Sequence, residues 1–159
     1  MDRLWAPWRI NYIRGKKQKR CIFCDAAIDK KKDYVIFKTL YSTAILNIYP
    51  YNNGHIMVSP KRHVRDLTQL ADAEALDLFK ALSKTKKLLN RVLKPEGYNI
   101  GINLEKSAGA GIAAHIHIHI VPRWQGDTNF MPIFNNTRVI SQSLKELFKQ
   151  LKNAQSKTD

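Results

Sequence analysis

No run of about 18 apolar residues, the length a helix needs to cross a bilayer, occurs in the 159-residue chain, so no membrane partner is expected. The opening residues Met1-Asp2-Arg3-Leu4-Trp5 lack the apolar core of a secretion signal, and a cytoplasmic protein is the expectation. Cysteine is scarce: two residues cannot supply a disulfide framework. Acidic residues are few as well, 13 Asp and Glu against 27 Lys and Arg, for a net charge of +14. A field of that sign attracts anions such as nucleotides, nucleic acid or acidic membrane surfaces. Much of the excess sits in Arg14-Gly15-Lys16-Lys17-Gln18-Lys19-Arg20 and Lys30-Lys31-Lys32, runs that read as solvated surface, and a nucleic-acid partner is not expected. There is no internal repeat and no linker. The length and a hydrophobic fraction of 44% suit one core, so the chain is expected to form one domain over residues 1–159, with a basic N-terminal loop 14–33 and a polar C-terminal tail 153–159.

What the chain does have is His115-Ile116-His117-Ile118-His119-Ile120-Val121-Pro122. Alternation of histidine with isoleucine has a period of two, which in a strand sends the three imidazoles to one face and the isoleucines to the other. Successive histidine Cα atoms then lie roughly 6.6 Å apart, close enough to reach one phosphate. The alternatives are a copper or zinc site made of the three rings, or a polar face open to water. With only five histidines in the chain, three on alternate positions look placed for chemistry.

The remaining pattern reads as α+β. Leu4-Trp5-Ala6-Pro7-Trp8-Arg9-Ile10 is too aromatic for a free tail. Tyr34–Phe37, Thr43–Tyr49 and His55–Ser59 read as strands, the last two joined as a hairpin through Pro50-Tyr51-Asn52-Asn53-Gly54. From Asp72 to Leu93 the spacing of Leu78, Leu82, Leu89 and Val92 is helical, with Asp72 as the expected N-cap and Pro95-Glu96-Gly97 as the stop. Tyr98–Leu104 is the expected strand beside the histidines. Ser141 is the expected cap of a last helix carrying Leu144, Leu147, Phe148 and Leu151.

A neutral imidazole attacks phosphorus well when its other nitrogen is held as a donor. Phosphoryl chemistry also needs N–H groups or cations around the phosphate oxygens. The loop Ser107-Ala108-Gly109-Ala110-Gly111, four residues ahead of the triplet, has side chains small enough for its backbone to approach an anion, with the Ser107 hydroxyl and the Asn103 amide at hand. Cys21-Ile22-Phe23-Cys24 reads as half a metal site or a redox pair.

His115-Ile116-His117-Ile118-His119-Ile120-Val121 resembles the signature of the histidine triad superfamily of nucleotidyl hydrolases and transferases. The resemblance extends to Leu4–Arg9, to Asn47–His55, to Asn103 with Ser107–Gly111, and to Val121–Phe130. These stretches look like the branch that contains diadenosine tetraphosphate phosphorylases and hydrolases. It implies a half-barrel with a five-stranded antiparallel sheet, one long helix and a C-terminal helix, and a homodimer that joins two sheets into ten strands. It also implies a two-step reaction in which His117 attacks the α-phosphorus of a nucleotide, His119 assists the leaving group and His55 lines the phosphate site. Asn103, Ser107, Gly109 and Gly111 would hold the phosphate, and Asn47 would face the ribose. Nucleoside phosphoramidates or adenylylated amines are the runner-up substrates. Members with an upstream Cys-x-x-Cys bind structural zinc, and the matching residues are Cys21, Cys24, His63 and His115. No organic cofactor is expected. Glu105-Lys106 departs from the family pattern, because a carboxylate beside an incoming anion repels it unless Lys106 neutralises it.

Overall fold

A computed structural model describes residues 20–28, 34–127 and 140–156. The aromatic stretch Leu4–Ile10 and most of the first basic run lie outside these residues. Five strands, β1 (Val35–Lys38), β2 (Ser42–Leu46), β3 (Ile56–Pro60), β4 (Gly97–Ile102) and β5 (Ile118–Arg123), form one antiparallel sheet in the order β1-β2-β3-β5-β4. Three helices accompany it among the described residues: α1 (Ile22–Ile28), α2 (Asp72–Leu93) and α3 (Leu144–Gln155). A single turn of 3-10 helix, Leu67–Gln69, leads into α2. The α+β class and the five-stranded antiparallel sheet match the expectation.

The sheet sorts its side chains by alternation. Ile36, Ala44, Leu46, Ile56, Val58, Ile118 and Ile120 point to the face covered by α2 and α3, where Leu78, Leu82, Leu89, Leu147 and Leu151 complete the main core. Val35, Ile45 and Met57 point the other way and pack with Phe23 and Ala26 of α1. His119 stands opposite Met57 in the β3–β5 register and so shares that second face. Ile118 and Ile120 therefore bury against the helices, while the histidines look toward α1.

The helix over 72–93 has the expected bounds, but its cap differs. Ala71 is the N-cap and Asp72 the first helical residue. The orphan Ala71 N–H is accepted by Glu74 at 3.0 Å, and Glu74 also takes two hydrogen bonds from Arg62, at 2.8 and 2.6 Å. At the other end Lys94 adopts a left-handed φ of 47° just before Pro95.

Further boundaries move: β2 ends at Leu46, short of Tyr49, and β4 ends at Ile102, short of Leu104. Helix α1 occupies part of the expected basic loop 14–33, because Phe23 and Ala26, three apart, fill the second core. Ser143, not Ser141, caps α3 by accepting the Glu146 N–H at 3.3 Å. That helix runs on through Asn153–Gln155, so the polar tail starts later than 153. The histidine strand starts at Ile118 instead of His115. Its ladder stops there because β4 ends opposite it at Ile102, while Pro60 at the end of β3 has no N–H to offer. Upstream, Ile116 donates instead to Val64 O at 2.7 Å.

Gly54 closes the β2–β3 hairpin at φ +79°, and a Cβ there would stand 2.5 Å from Leu93 Cδ1 and 3.0 Å from Pro122 Cγ. The hairpin tip can rest against the end of α2 only without a side chain. That contact sets the position of the next residue, His55.

Candidate active site and metal centre

His55, His117 and His119 are brought together on the α1 side of the sheet. Ring centroids are 5.0 Å apart for His55 and His119, and 4.8 Å for His117 and His119. Tyr51 lies over both His55 and His119, at 4.5 and 5.6 Å, and Phe23 lies over His117 at 4.7 Å. Neither aromatic was singled out from the sequence. Their positions in a turn and between two cysteines carry no local signal for stacking.

Backbone groups assign the tautomers. The Tyr51 N–H donates to His55 Nδ1 at 3.1 Å, so that nitrogen is an acceptor and the proton sits on Nε2. Asn47 Nδ2 adds a second donor to the same Nδ1 at 3.2 Å, while its Oδ1 accepts the Tyr49 N–H at 2.9 Å. The His55 Nε2–H then donates to His119 Nδ1 at 2.8 Å, which leaves the proton of neutral His119 on its own Nε2. His117 is set the opposite way: its Nδ1–H donates to the His115 carbonyl at 2.9 Å, and Nε2 carries the free lone pair. Two neighbouring rings thus present one donor and one nucleophilic nitrogen.

Burial keeps these rings neutral. His55 is pushed down to about 3, chiefly by burial and then by His119 and His117. His119 is pushed down to about 4 by burial and by His117. His117 is also lowered by burial, with its bond to the His115 carbonyl opposing the shift.

His115 has a different task. Its Nε2–H donates to Pro60 O at 2.9 Å, so the Nδ1 lone pair faces the cysteines, 3.3 Å from Cys21 Sγ and 3.5 Å from Cys24 Sγ. His63 Nδ1 is 3.1 Å from Cys24 Sγ. The ligand atoms of Cys21, Cys24, His63 and His115 all lie within 4.8 Å of one another. Tetrahedral zinc, with bonds of about 2.3 Å to sulfur and 2.05 Å to nitrogen, places a sulfur and a nitrogen ligand roughly 3.6 Å apart. Two thiols and two imidazoles at these separations fit that ion. Without a metal the Cys24 thiol resists ionisation, pushed up to about 11 by burial, Cys21 and Asp25. A divalent cation reverses that balance.

The loop between β4 and β5 gathers the other residues singled out from the sequence. Asn103 Nδ2 lies 3.8 Å from where a Cβ on Gly109 would stand, and Gly109 holds φ +87°. Ser107 faces a cavity of about 840 Å³, while Gly111 is an exposed turn residue. Glu105 is paired with Arg65 instead of with its neighbour Lys106. Arg65 was not singled out from the sequence, since a contact between loops 40 residues apart leaves no local trace.

The sequence profile described as HIT domain matches residues 29–126. Over 156 residues the chain is 37% identical to a protein of Mycobacterium tuberculosis named AP-4-A phosphorylase, covering 92% of this chain and 80% of that one. It is 36% identical over 93 residues to the asymmetrical bis(5'-nucleosyl)-tetraphosphatase of Schizosaccharomyces pombe, covering 58% of this chain and 50% of that protein. The structure resembles a zinc-bound histidine triad family protein of Mycobacterium smegmatis with a TM-score of 0.69 at 27% identity, over 86% of this chain and 94% of the other. Three histidines alternating with isoleucine, on a sheet of this topology and within that match, are the mark of a family: the chain belongs to the histidine triad, or HIT domain, family.

Proposed function

We propose that the protein cleaves dinucleoside polyphosphates, diadenosine tetraphosphate foremost, through a nucleotidyl-histidine intermediate. The observation that carries this reading is the opposed tautomers of His117 and His119, set by the His115 carbonyl and by the relay from Tyr51 through His55. The similarity to AP-4-A phosphorylase supports the substrate class. His117 Nε2 forms a bond to the α-phosphorus as the bond from phosphorus to the bridging oxygen breaks. The His119 Nε2–H donates a hydrogen bond to that oxygen as it takes up the electron pair of the broken bond, and the nucleoside polyphosphate departs as its anion. Water or orthophosphate then attacks the phosphorus, its proton passing to the solvent as the electron pair of the N–P bond returns to His117 Nε2. The N–P bond breaks, and AMP or ADP leaves. Asn103, Ser107 and the backbone near Gly109 and Gly111 hold the phosphate oxygens, and the hairpin that carries Asn47 receives the nucleoside.

Cys21, Cys24, His63 and His115 hold a structural zinc that braces α1 against the triad, a reading supported by the fit of the four donors and by the zinc-bound relative. Two chains pair through β4, an edge strand whose Ile100 is 48% exposed.

Mass spectrometry of quenched turnover tests the chemistry. A nucleotidyl adduct on His117 is expected, absent from His117→Ala, and full turnover by that variant rules the nucleophile out. Added orthophosphate separates the acceptors, because ADP marks phosphorolysis and AMP marks hydrolysis.

A further inference from the structure

Beyond the triad, the loops at 63–69 and 105–114 line the cavity of about 840 Å³, which is open to solvent. His63, Arg65, Glu105, Lys106, Ser107 and Ala114 are among its lining residues. Its location follows from the strands. Asn47 and His55 stand at the hairpin end of β3, and His119 is level with Met57. His115 reaches Pro60 at the far end, and His63 and Arg65 follow it in the chain. Along β3 the order is therefore the Asn47 hairpin, the triad rings and the Cys₂His₂ cluster, whose His63 also lines the cavity. A linear substrate whose nucleoside lies at the Asn47 end and whose α-phosphorus lies at His117 extends its remaining phosphates toward the cavity.

The lining suits them. Arg65 and Lys106 are cationic, Ser107 supplies a hydroxyl and Ala114 takes up little room. The Arg65 backbone is tied down by its N–H bond to Gln69 Oε1 at 3.0 Å. Glu105, at a left-handed φ of 66°, engages the Arg65 guanidinium across the cavity wall. Both partners are more than half exposed, at 57% and 55%, so the pair is weak and its arginine is exchangeable. A phosphate chain offers that fork a stronger bidentate partner.

Resting on the reading above, we propose that this cavity is the subsite for the leaving polyphosphate. Arg65 is its specificity-determining residue, and Glu105 occupies that arginine until phosphate displaces it. Glu105 thereby screens out ligands with too few phosphates to compete for the guanidinium.

The test uses the full zinc-loaded chain with Arg65→Ala, Arg65→Lys and Glu105→Gln. Calorimetry with inorganic tripolyphosphate reads the cavity directly. Arg65→Ala is expected to weaken binding roughly tenfold or more, Arg65→Lys to restore part of it, and Glu105→Gln to tighten it. In turnover, Arg65→Ala is expected to raise KM for diadenosine tetraphosphate at least tenfold more than KM for adenosine phosphoramidate, whose leaving group has no phosphates. Equal shifts for the two substrates, or tripolyphosphate binding that is absent from the wild type or indifferent to Arg65, overturn the inference. If the wild type binds tripolyphosphate through Arg65 but cleaves no dinucleoside polyphosphate, the cavity assignment stands and the proposed reaction fails.

Discussion

Each imidazole near the triad carries one donor and one acceptor, and the first fixed backbone group it meets decides which is which. Tyr51 N–H and the carbonyls of His115 and Pro60 make that decision for His55, His117 and His115, and His119 inherits its tautomer from His55. The cost of keeping His55 and His119 neutral and buried appears as a pH dependence of stability. Their folded values, about 3 and about 4, lie below the ordinary 6.5, so the unfolded chain binds more protons between those limits. Stability is complete above about pH 6.5 and falls as the pH drops toward 4 and then 3, by up to about 1.4 kcal/mol per pH unit for each ring. Urea midpoints between pH 4 and 7 check this: His55→Gln is expected to flatten the slope, and an unchanged slope would mean that this ring is not held neutral. The pattern of histidines alone announced that these rings matter. It gave no way to tell them apart, because their differences come from Tyr51, Pro60 and the cysteines, each distant in sequence or hidden in a turn.

At the scale of elements, the β2–β3 hairpin and α1 are the parts that position the rings. Gly54→Ala forces a side chain into left-handed backbone and against Leu93, at a cost of about 1–3 kcal/mol. The urea midpoint is expected to fall with an unchanged m-value, and kcat to fall with it because His55 follows that turn. Replacing Cys21 and Cys24 together by serine removes two of the four donors that join α1 to the triad segment. The bound zinc measured by atomic emission is expected to drop from one per chain to none, with a lower Tm. Zinc retained by that double variant but lost on replacing His117 and His119 would move the metal to the triad. Element types were readable because apolar period matches helix and strand directly, as the 72–93 helix shows. Ends were less so. The histidine strand stops at Ile118 for reasons lodged in β3, β4 and Val64, and α1 exists because Phe23 found a second core.

For the whole molecule, β1 and β4 are the edges of the sheet among the described residues, and β4 is the one next to the histidine strand. A dimer formed there makes the two active sites neighbours through one continuous sheet. Ile100→Lys places a charge on that edge, and sedimentation is expected to shift from dimer to monomer at micromolar concentration. An unchanged dimer would place the interface elsewhere. Among the described residues no helix is long and apolar enough to cross a membrane.

By itself the sequence determined the α+β class, the long helix, the pairing of the 98–104 segment with the triad strand and the family, because these depend on local periodicity and on motifs contiguous in the chain. It also marked four candidate metal ligands and three catalytic candidates, by type and by resemblance. Only the tertiary structure decided which nitrogen of each ring is free, and that the Glu105 carboxylate is answered by Arg65. It also decided that His63 lines one cavity with Arg65, Glu105 and Ser107. Those properties belong to pairs of groups far apart in the chain, and a pair acquires a distance only when the sheet has formed.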